Sequence, residues 1–516
     1  MSTPPSSHAD RSSMRALVVA ATCTGIATLT PSTSASPLLE LAGGIGGPGG
    51  YNARATEAGA ASTYFNPAML VFADSGITLG VVVLTDQIGI TVGGRSRHND
   101  VPIGSENAQH ADGGRLDSAP IATSLLEHGR APSGNDPGLA ARPRQMNGSG
   151  QKTFAYQMIG LVQRFFEGKL AVGLYALVPY SQFTGASAFF SDEREQYFTN
   201  SLHPELYADR MTATSLAFGL GARVTDTVSV GLSFTLSLKT GATTPTFLAD
   251  AGRFQDILVD SKVDVNAKVS PHLGFVYRPA GRWHFSGTVH TPQKLEIETK
   301  FTFLLANGVE QTAGVSFTHD YVPWQISLGS TFDAYRENDK SLMLVGALLW
   351  GKWSDYVDRH SEKPIPEYAW SDTIAPSLGA RYATGPVRAF ADLLYQPTPI
   401  PTQTGRTNYV DNNRVGVSGG ADYQFQFLGT TMRAGAQFQL NRLIPKTTQK
   451  LLVPTQADGK NHYPQLVRDE LPDDATSGGD PVAGRAGLQT NNPGYPGFSN
   501  QGWVYGGGLY LSMSPQ

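Results

Sequence analysis

Between Val228 and Leu238 the sequence alternates without a break. Val228, Val230, Leu232, Phe234, Leu236 and Leu238 are interleaved with Ser229, Gly231, Ser233, Thr235 and Ser237. A period of two places each set on its own face of a β-strand. A strand with one face in water ordinarily carries charge on that face; here the second face holds only glycine, serine and threonine. The same grammar returns in Leu216, Phe218, Leu220 and Ala222, in Met432, Ala434, Ala436, Phe438 and Leu440, and in Trp503, Tyr505, Gly507, Leu509 and Leu511. Alternating segments of about ten residues separated by turns are the pattern of an outer-membrane barrel, with one face toward lipid and the other lining a lumen.

Composition narrows the alternatives to the same class. Of 516 residues 16% are charged and 57 are glycine, against a usual charged fraction of about 25% and glycine fraction of about 7%. With 40% hydrophobic residues, the low charge argues against disorder. The net charge of -4 excludes the basic surplus of a nucleic-acid binder. No internal run approaches the ~18 apolar residues of a membrane helix; the longest are Leu170 to Tyr180 and Leu342 to Gly351.

Strands are expected at 76 to 94, 152 to 164, 168 to 180, 210 to 224, 227 to 239, 259 to 279, 282 to 303, 313 to 332, 341 to 355, 372 to 383, 386 to 396, 413 to 425, 430 to 441 and 501 to 513. That makes fourteen. Short and long connections alternate, as in barrels whose long loops are extracellular. Aromatics cluster near the expected strand ends (Phe165, Phe166, Tyr180, Tyr277, Trp283, Trp324, Trp350, Trp353, Tyr382, Tyr423 and Trp503), where interfacial girdles sit. Glu296, Glu298 and Lys300 are then expected to point into the lumen or to sit above the membrane, because lipid-facing charge is costly.

Arg11 and Arg15, the apolar stretch Ala16 to Leu29 and the small residues Thr30 to Ser36 have the order of a secretory signal peptide. Residues 1–35 are therefore expected to be a leader, and the single cysteine, Cys23, falls within it. Residues 36–75 do not alternate. They open with a glycine-rich run, Gly43 to Gly50, and precede a barrel wide enough to leak, which predicts a plug, or hatch, inside the lumen. The expected organisation is leader 1–35, hatch 36–75 and transmembrane barrel 76–516.

The stretch Ala58-Gly59-Ala60-Ala61-Ser62-Thr63-Tyr64-Phe65-Asn66-Pro67-Ala68-Met69-Leu70 resembles the amino-terminal hatch of the FadL-type transporters of long-chain fatty acids and hydrocarbons. The resemblance continues in Lys169-Leu170-Ala171-Val172-Gly173-Leu174, Asp226-Thr227-Val228-Ser229-Val230-Gly231, Trp350-Gly351-Lys352-Trp353-Ser354, Trp370-Ser371-Asp372 and Tyr395-Gln396-Pro397-Thr398-Pro399-Ile400-Pro401. It implies a fourteen-stranded barrel in a Gram-negative outer membrane, placed there by the barrel-assembly machinery, in contact with lipopolysaccharide. It further implies passive entry of a hydrophobic ligand, without a cofactor, gated by Phe65, Asn66, Pro67 and Ala68, and leaving by a lateral gap at a kink in the third strand. Pro179 is the candidate for that kink, since proline lacks a ladder donor; the equal alternative is that Pro179 ends the strand at the loop. The chain departs from the usual pattern of a closing aromatic by running past Tyr510 and Leu511 to Ser514-Pro515-Gln516.

Phe183, Phe189, Phe190 and Phe198 make the connection 181 to 209 unusually apolar and are candidates for capturing ligand at the surface; Arg210 and Lys352 are candidates for a ligand head group. Other motifs lead nowhere. Gly416-Val417-Ser418-Gly419-Gly420 fits a nucleophile elbow, but no helical pattern follows it. Gly44-Ile45-Gly46-Gly47-Pro48-Gly49 follows no strand and opens no helix, so it is not a dinucleotide loop. His284 and His290 are ~20 Å apart along a strand, too far to share a metal. Asp469, Glu470, Asp473, Asp474 and Asp480 lack the spacing of a calcium loop. The competing expectations are a general porin for polar solutes and a barrel lipase.

Overall fold

The computed structural model describes residues 38–92, 147–180, 203–204, 215–237, 243–248, 257–265, 268–304, 310–358, 363–364, 366–405, 407–450, 452–453, 467–468 and 497–515. The expected leader, the candidates Phe183, Phe189, Phe190, Phe198 and Arg210, and the acidic run 469–480 lie outside the described residues.

Fourteen antiparallel strands close into a barrel: β1 (Gly76–Val92), β2 (Asn147–Phe165), β3 (Leu170–Pro179), β4 (Ser215–Arg223), β5 (Val228–Ser237), β6 (Lys268–Tyr277), β7 (Trp283–His290), β8 (Gln325–Glu337), β9 (Lys340–Gly351), β10 (Thr373–Thr384), β11 (Val387–Gln396), β12 (Arg414–Phe427), β13 (Thr430–Gln449) and β14 (Gly497–Ser514). Each strand pairs with the next, and β1 pairs with β14 from Ile77 opposite Met513 to Val92 opposite Phe498. Closure of this kind leaves no unpaired edge, the condition for a sheet to stand in hydrocarbon. The connections at one end are short, as at Leu428–Gly429, and those at the other are long; the long-connection end is extracellular by the barrel rule.

The alternation sorts as the outer-membrane pattern requires. On β5 the side chains of Val230, Leu232 and Phe234 face outward at 37–40% exposure, while Ser229, Ser233 and Thr235 are buried within. Leu378, Leu393, Phe438 and Leu509 continue the exposed apolar exterior around the ring. Charged side chains are concentrated on the inner face, where Arg381 pairs with Asp392, and Arg388 and Arg433 with Asp422.

Three expected strands are corrected. The stretches 259 to 279, 282 to 303 and 313 to 332 each contain a break, and the structure has two strands in place of each: Ile257–Val265 and β6, β7 and Gln293–Leu304, Glu310–Val322 and β8. Pro292 and Pro323 stand at two of these breaks, where a residue without a donor ends a ladder. The pieces outside the barrel join Thr243–Leu248 in a separate four-stranded sheet. Glu296, Glu298 and Lys300 therefore belong to that sheet and not to the barrel wall. Trp353 is also not a girdle residue: it lies on a short turn beyond β9, packed against Trp370.

A lysine replacing Leu378, which is 64% exposed in the middle of β10, is expected to cost about 2 to 4 kcal/mol of folding stability in a bilayer. Equilibrium unfolding from lipid vesicles measures it; an unchanged stability would mean that this face meets water.

Candidate functional site

Residues 38–72 form a series of short turns: α1 (Leu38–Ala42), α2 (Ala53–Thr56), α3 (Ser62–Phe65) and a 3-10 helix, Pro67–Phe72. The glycine run folds back on itself, Gly44 and Gly50 exchanging backbone hydrogen bonds of 3.1 and 3.3 Å. Gly46 takes φ +104°, a conformation costly for any residue with a Cβ. The Asn-Pro-Ala element starts the 3-10 helix. The Asn66 side chain accepts from the Ala68 N–H at 3.2 Å and donates to the Arg54 carbonyl at 2.9 Å. Pro67 follows at the first helical position, where its missing N–H has no bond to lose.

The segment meets the inner wall in two different ways. Toward β2–β6 the fit is one of shape. Gly173 is opposite Gly219, Gly221 opposite Gly231 and Gly231 opposite Gly274, which makes a side-chain-free trough across four strands. Pro67 to Leu70 lie in it; a Cβ on Gly231 would overlap Pro67 and Ala68, and one on Gly274 would overlap the Asn66 amide. Tyr156, Met158, Tyr175 and Leu177 of β2 and β3 join Leu38, Leu39, Tyr64 and Phe65 in one buried apolar core.

Toward β8–β13 the attachment is polar. Arg54 forms a bidentate pair with Glu40 at 2.5 and 2.9 Å and donates to Gln325 of β8 at 2.8 Å. Tyr64 donates to the same Glu40 at 2.6 Å. Asn52 donates to Asp392 of β11 at 2.8 Å, and Ser377 of β10 donates to Asn52 at 2.9 Å. Arg381 of β10 holds Asp392 and also donates to the Gly49 carbonyl at 2.7 Å. Tyr51 donates to Asn441 of β13 at 2.9 Å.

Between the segment and the extracellular end lies a cavity of about 120 Å3. Glu40, Arg54 and Phe65 line its floor, Leu349, Ala375 and Leu394 its walls, and Tyr321, Trp353, Pro397 and Pro399 its roof. Behind the roof Tyr356 stacks on Trp370 with ring centroids 3.5 Å apart. The charged residues lining the cavity are Glu40, Arg54, Asp411 and Arg414. Arg54 is paired with Glu40. Burial lifts the Asp411 carboxyl to about 6, opposed by the Thr398 hydroxyl bond and by the Arg414 charge.

The sequence candidates fall in different places. Phe65 is 3% exposed and lines the cavity, with Arg54 over its ring at 5.6 Å. Asn66, Pro67 and Ala68 are buried in the glycine trough. Pro179 is the last residue of β3, opposite Tyr156 of β2 and two residues beyond the last β3–β4 pair, Leu177 opposite Ser215. Lys352 pairs with Asp355 at 2.6 Å outside the cavity. Ser418 lies in regular strand paired on both sides, with no turn at which a nucleophile elbow could form. Glu40, Arg54, Glu57 and Asp392 were missed. The first three had a signal: with Asp74 they are the only charges in an apolar, glycine-rich stretch.

Gly231→Val is expected to lift the 3-10 helix from its trough, raising the ion conductance of the protein in planar bilayers while the barrel still assembles. A conductance equal to wild type would show that the trough does not seat the segment.

No protein-family model matches the chain, and no curated protein does. Among solved structures, a FadL homologue of Pseudomonas aeruginosa aligns over 94% of this chain and 98% of its own, at 16% identity and a TM-score of 0.50. The toluene transporter TbuX of Ralstonia pickettii aligns over 93% and 98% at 12% identity and TM-score 0.42. The toluene transporter TodX of P. putida aligns over 89% and 94% at 12% identity and TM-score 0.42. At these identities the likeness is one of fold, and the fold of this chain is the FadL-type one, a closed fourteen-stranded transmembrane barrel.

Proposed function

We propose that this chain is a passive outer-membrane channel for small uncharged hydrophobic molecules, with residues 38–72 acting as the hatch that closes it. The observation that carries this reading is the cavity above the hatch. Its volume of about 120 Å3 compares with the roughly 150 Å3 of an engineered apolar cavity that takes up benzene. Its roof is aromatic, its walls set Leu349, Ala375 and Leu394 among uncharged polar side chains such as Ser327, Thr373, Ser377 and Gln396, and Arg54 on its floor is paired with Glu40. A fatty-acid carboxylate would have to displace Glu40 to reach Arg54, whereas a ring without charge displaces nothing.

Ligand would be captured by the apolar connection that holds Phe183, Phe189, Phe190 and Phe198, enter the cavity from outside, and pass once the hatch moves, with Pro179 marking a lateral exit. The ligand's own gradient would drive the passage. A porin for polar solutes is the weaker reading, because the segment engages strands on all sides of the wall.

Proteoliposomes containing the protein are expected to take up toluene faster than protein-free vesicles, and oleate to compete poorly. Trp353→Ala should weaken toluene half-saturation about 2- to 12-fold, the worth of one aromatic partner. In the same assay Phe189→Ser with Phe190→Ser should slow uptake of dilute substrate; an unchanged rate removes the capture step. Failure across several uncharged apolar ligands would end the proposal, and strong competition by oleate would return the choice to fatty acids.

A further inference from the structure

Glu57 lies between α2 and α3, fully buried, and neither carboxyl oxygen has a hydrogen-bond partner. Its surroundings are glycine. Cβ atoms built on Gly49 and Gly59 would fall 2.5 Å from its oxygens, and one on Gly47 2.6 Å away, so the carboxyl is packed directly on the backbone of the glycine run and of Gly59. The groups facing it from the wall are Tyr175 of β3, Arg381 of β10, Arg388 of β11, Asp422 of β12 and Tyr510 of β14. The two arginines are committed elsewhere: Arg381 to Asp392, the Gly49 carbonyl and Thr56, and Arg388 to Asp422 through both Nε and Nη2. Asp422 also takes Arg433 and the Tyr510 hydroxyl. An ionised carboxylate in this cage would have lost its water and gained no donor, the costliest state for such a group.

We propose that Glu57 is a proton-binding catch: the seated segment holds its carboxyl neutral, and ionisation releases the segment from the wall. Burial raises the group from 4.5 to about 7, with Arg388 and Arg381 pulling it down and Asp422 pushing it up. The sign follows from linkage. Below about pH 4.5 the carboxyl is protonated in both the seated and the released states, and seating is undisturbed. From about 4.5 to 7 the released state ionises first, so seating weakens as pH rises, and above about 7 the loss is complete. The consequence for uptake rests on the hatch reading given above; the proton site does not.

The test uses the full-length protein with Ala55→Cys, a buried position facing Gly329 of β8, in a Cys23→Ala background. The rate of labelling by a methanethiosulfonate reports release. Dividing it by the rate in the same protein carrying Glu57→Gln cancels the reagent's own pH dependence. The ratio is expected to climb from about pH 4.5 to 7 and then level off, reaching about 300-fold, the span between 4.5 and about 7. A flat ratio overturns the catch. If Glu57→Gln does not assemble, Glu57→Met serves as the uncharged reference. A rising ratio with pH-independent toluene uptake keeps the proton site and removes the gate; pH-dependent uptake with a flat ratio removes the proton site alone.

Discussion

A backbone in hydrocarbon has no water to bond with, so everything in this molecule depends on the ring of strands closing on itself. The seam between β1 and β14, paired continuously from Ile77–Met513 to Val92–Phe498, removes the last edge. Once the backbone is satisfied by pairing, side chains are free to sort by face. Outward positions take leucine, valine and aromatic residues. Inward positions can be as small as glycine, because the space inside is filled by another part of the chain rather than by their own side chains.

That filling segment is held in two unlike ways. Against β3–β6 it sits in a glycine trough, where fit is close and directional bonds are few. Against β8–β13 it is held by Arg54, Asn52, Tyr51 and the Arg381–Asp392 pair. Apolar surface returned to water finds no replacement partner, whereas water can take over a hydrogen bond at a small net cost. If the segment moves as proposed, the polar side is where it would part from the wall, and Glu57 faces that same side through Arg381, Arg388 and Asp422.

The barrel was legible in the sequence because alternation at period two is a local property, repeated in strand after strand, and the strand count followed from it. Boundaries slipped where alternation ran on beyond the barrel, as from His290 across Pro292 into Gln293–Leu304, because a strand pattern does not say which sheet the strand joins. The Asn66-Pro67-Ala68 element was readable from its resemblance, and its capping geometry explains the residue order. The polar partners were not readable. Asn52 and Asp392 are 340 positions apart, and nothing near either residue records that the other completes its bonding. Likewise the pairing of Glu40 with Arg54, which decides that the cavity floor offers no uncommitted cation, is a fact of the folded segment alone.

On the proposed reading, movement of residues 38–72 opens the channel. A Cβ built on Gly329 of β8 falls 2.8 Å from that of Ala55, so the two positions are adjacent and a bridge between them needs the Cβ atoms to move apart by about 1 Å. Toluene uptake by the Ala55→Cys, Gly329→Cys protein in a Cys23→Ala background, measured oxidised and then reduced, shows whether the segment must move. Oxidation is expected to stop uptake and a reductant to restore it; uptake at the same rate with the bridge closed would mean that the channel opens without movement of this segment.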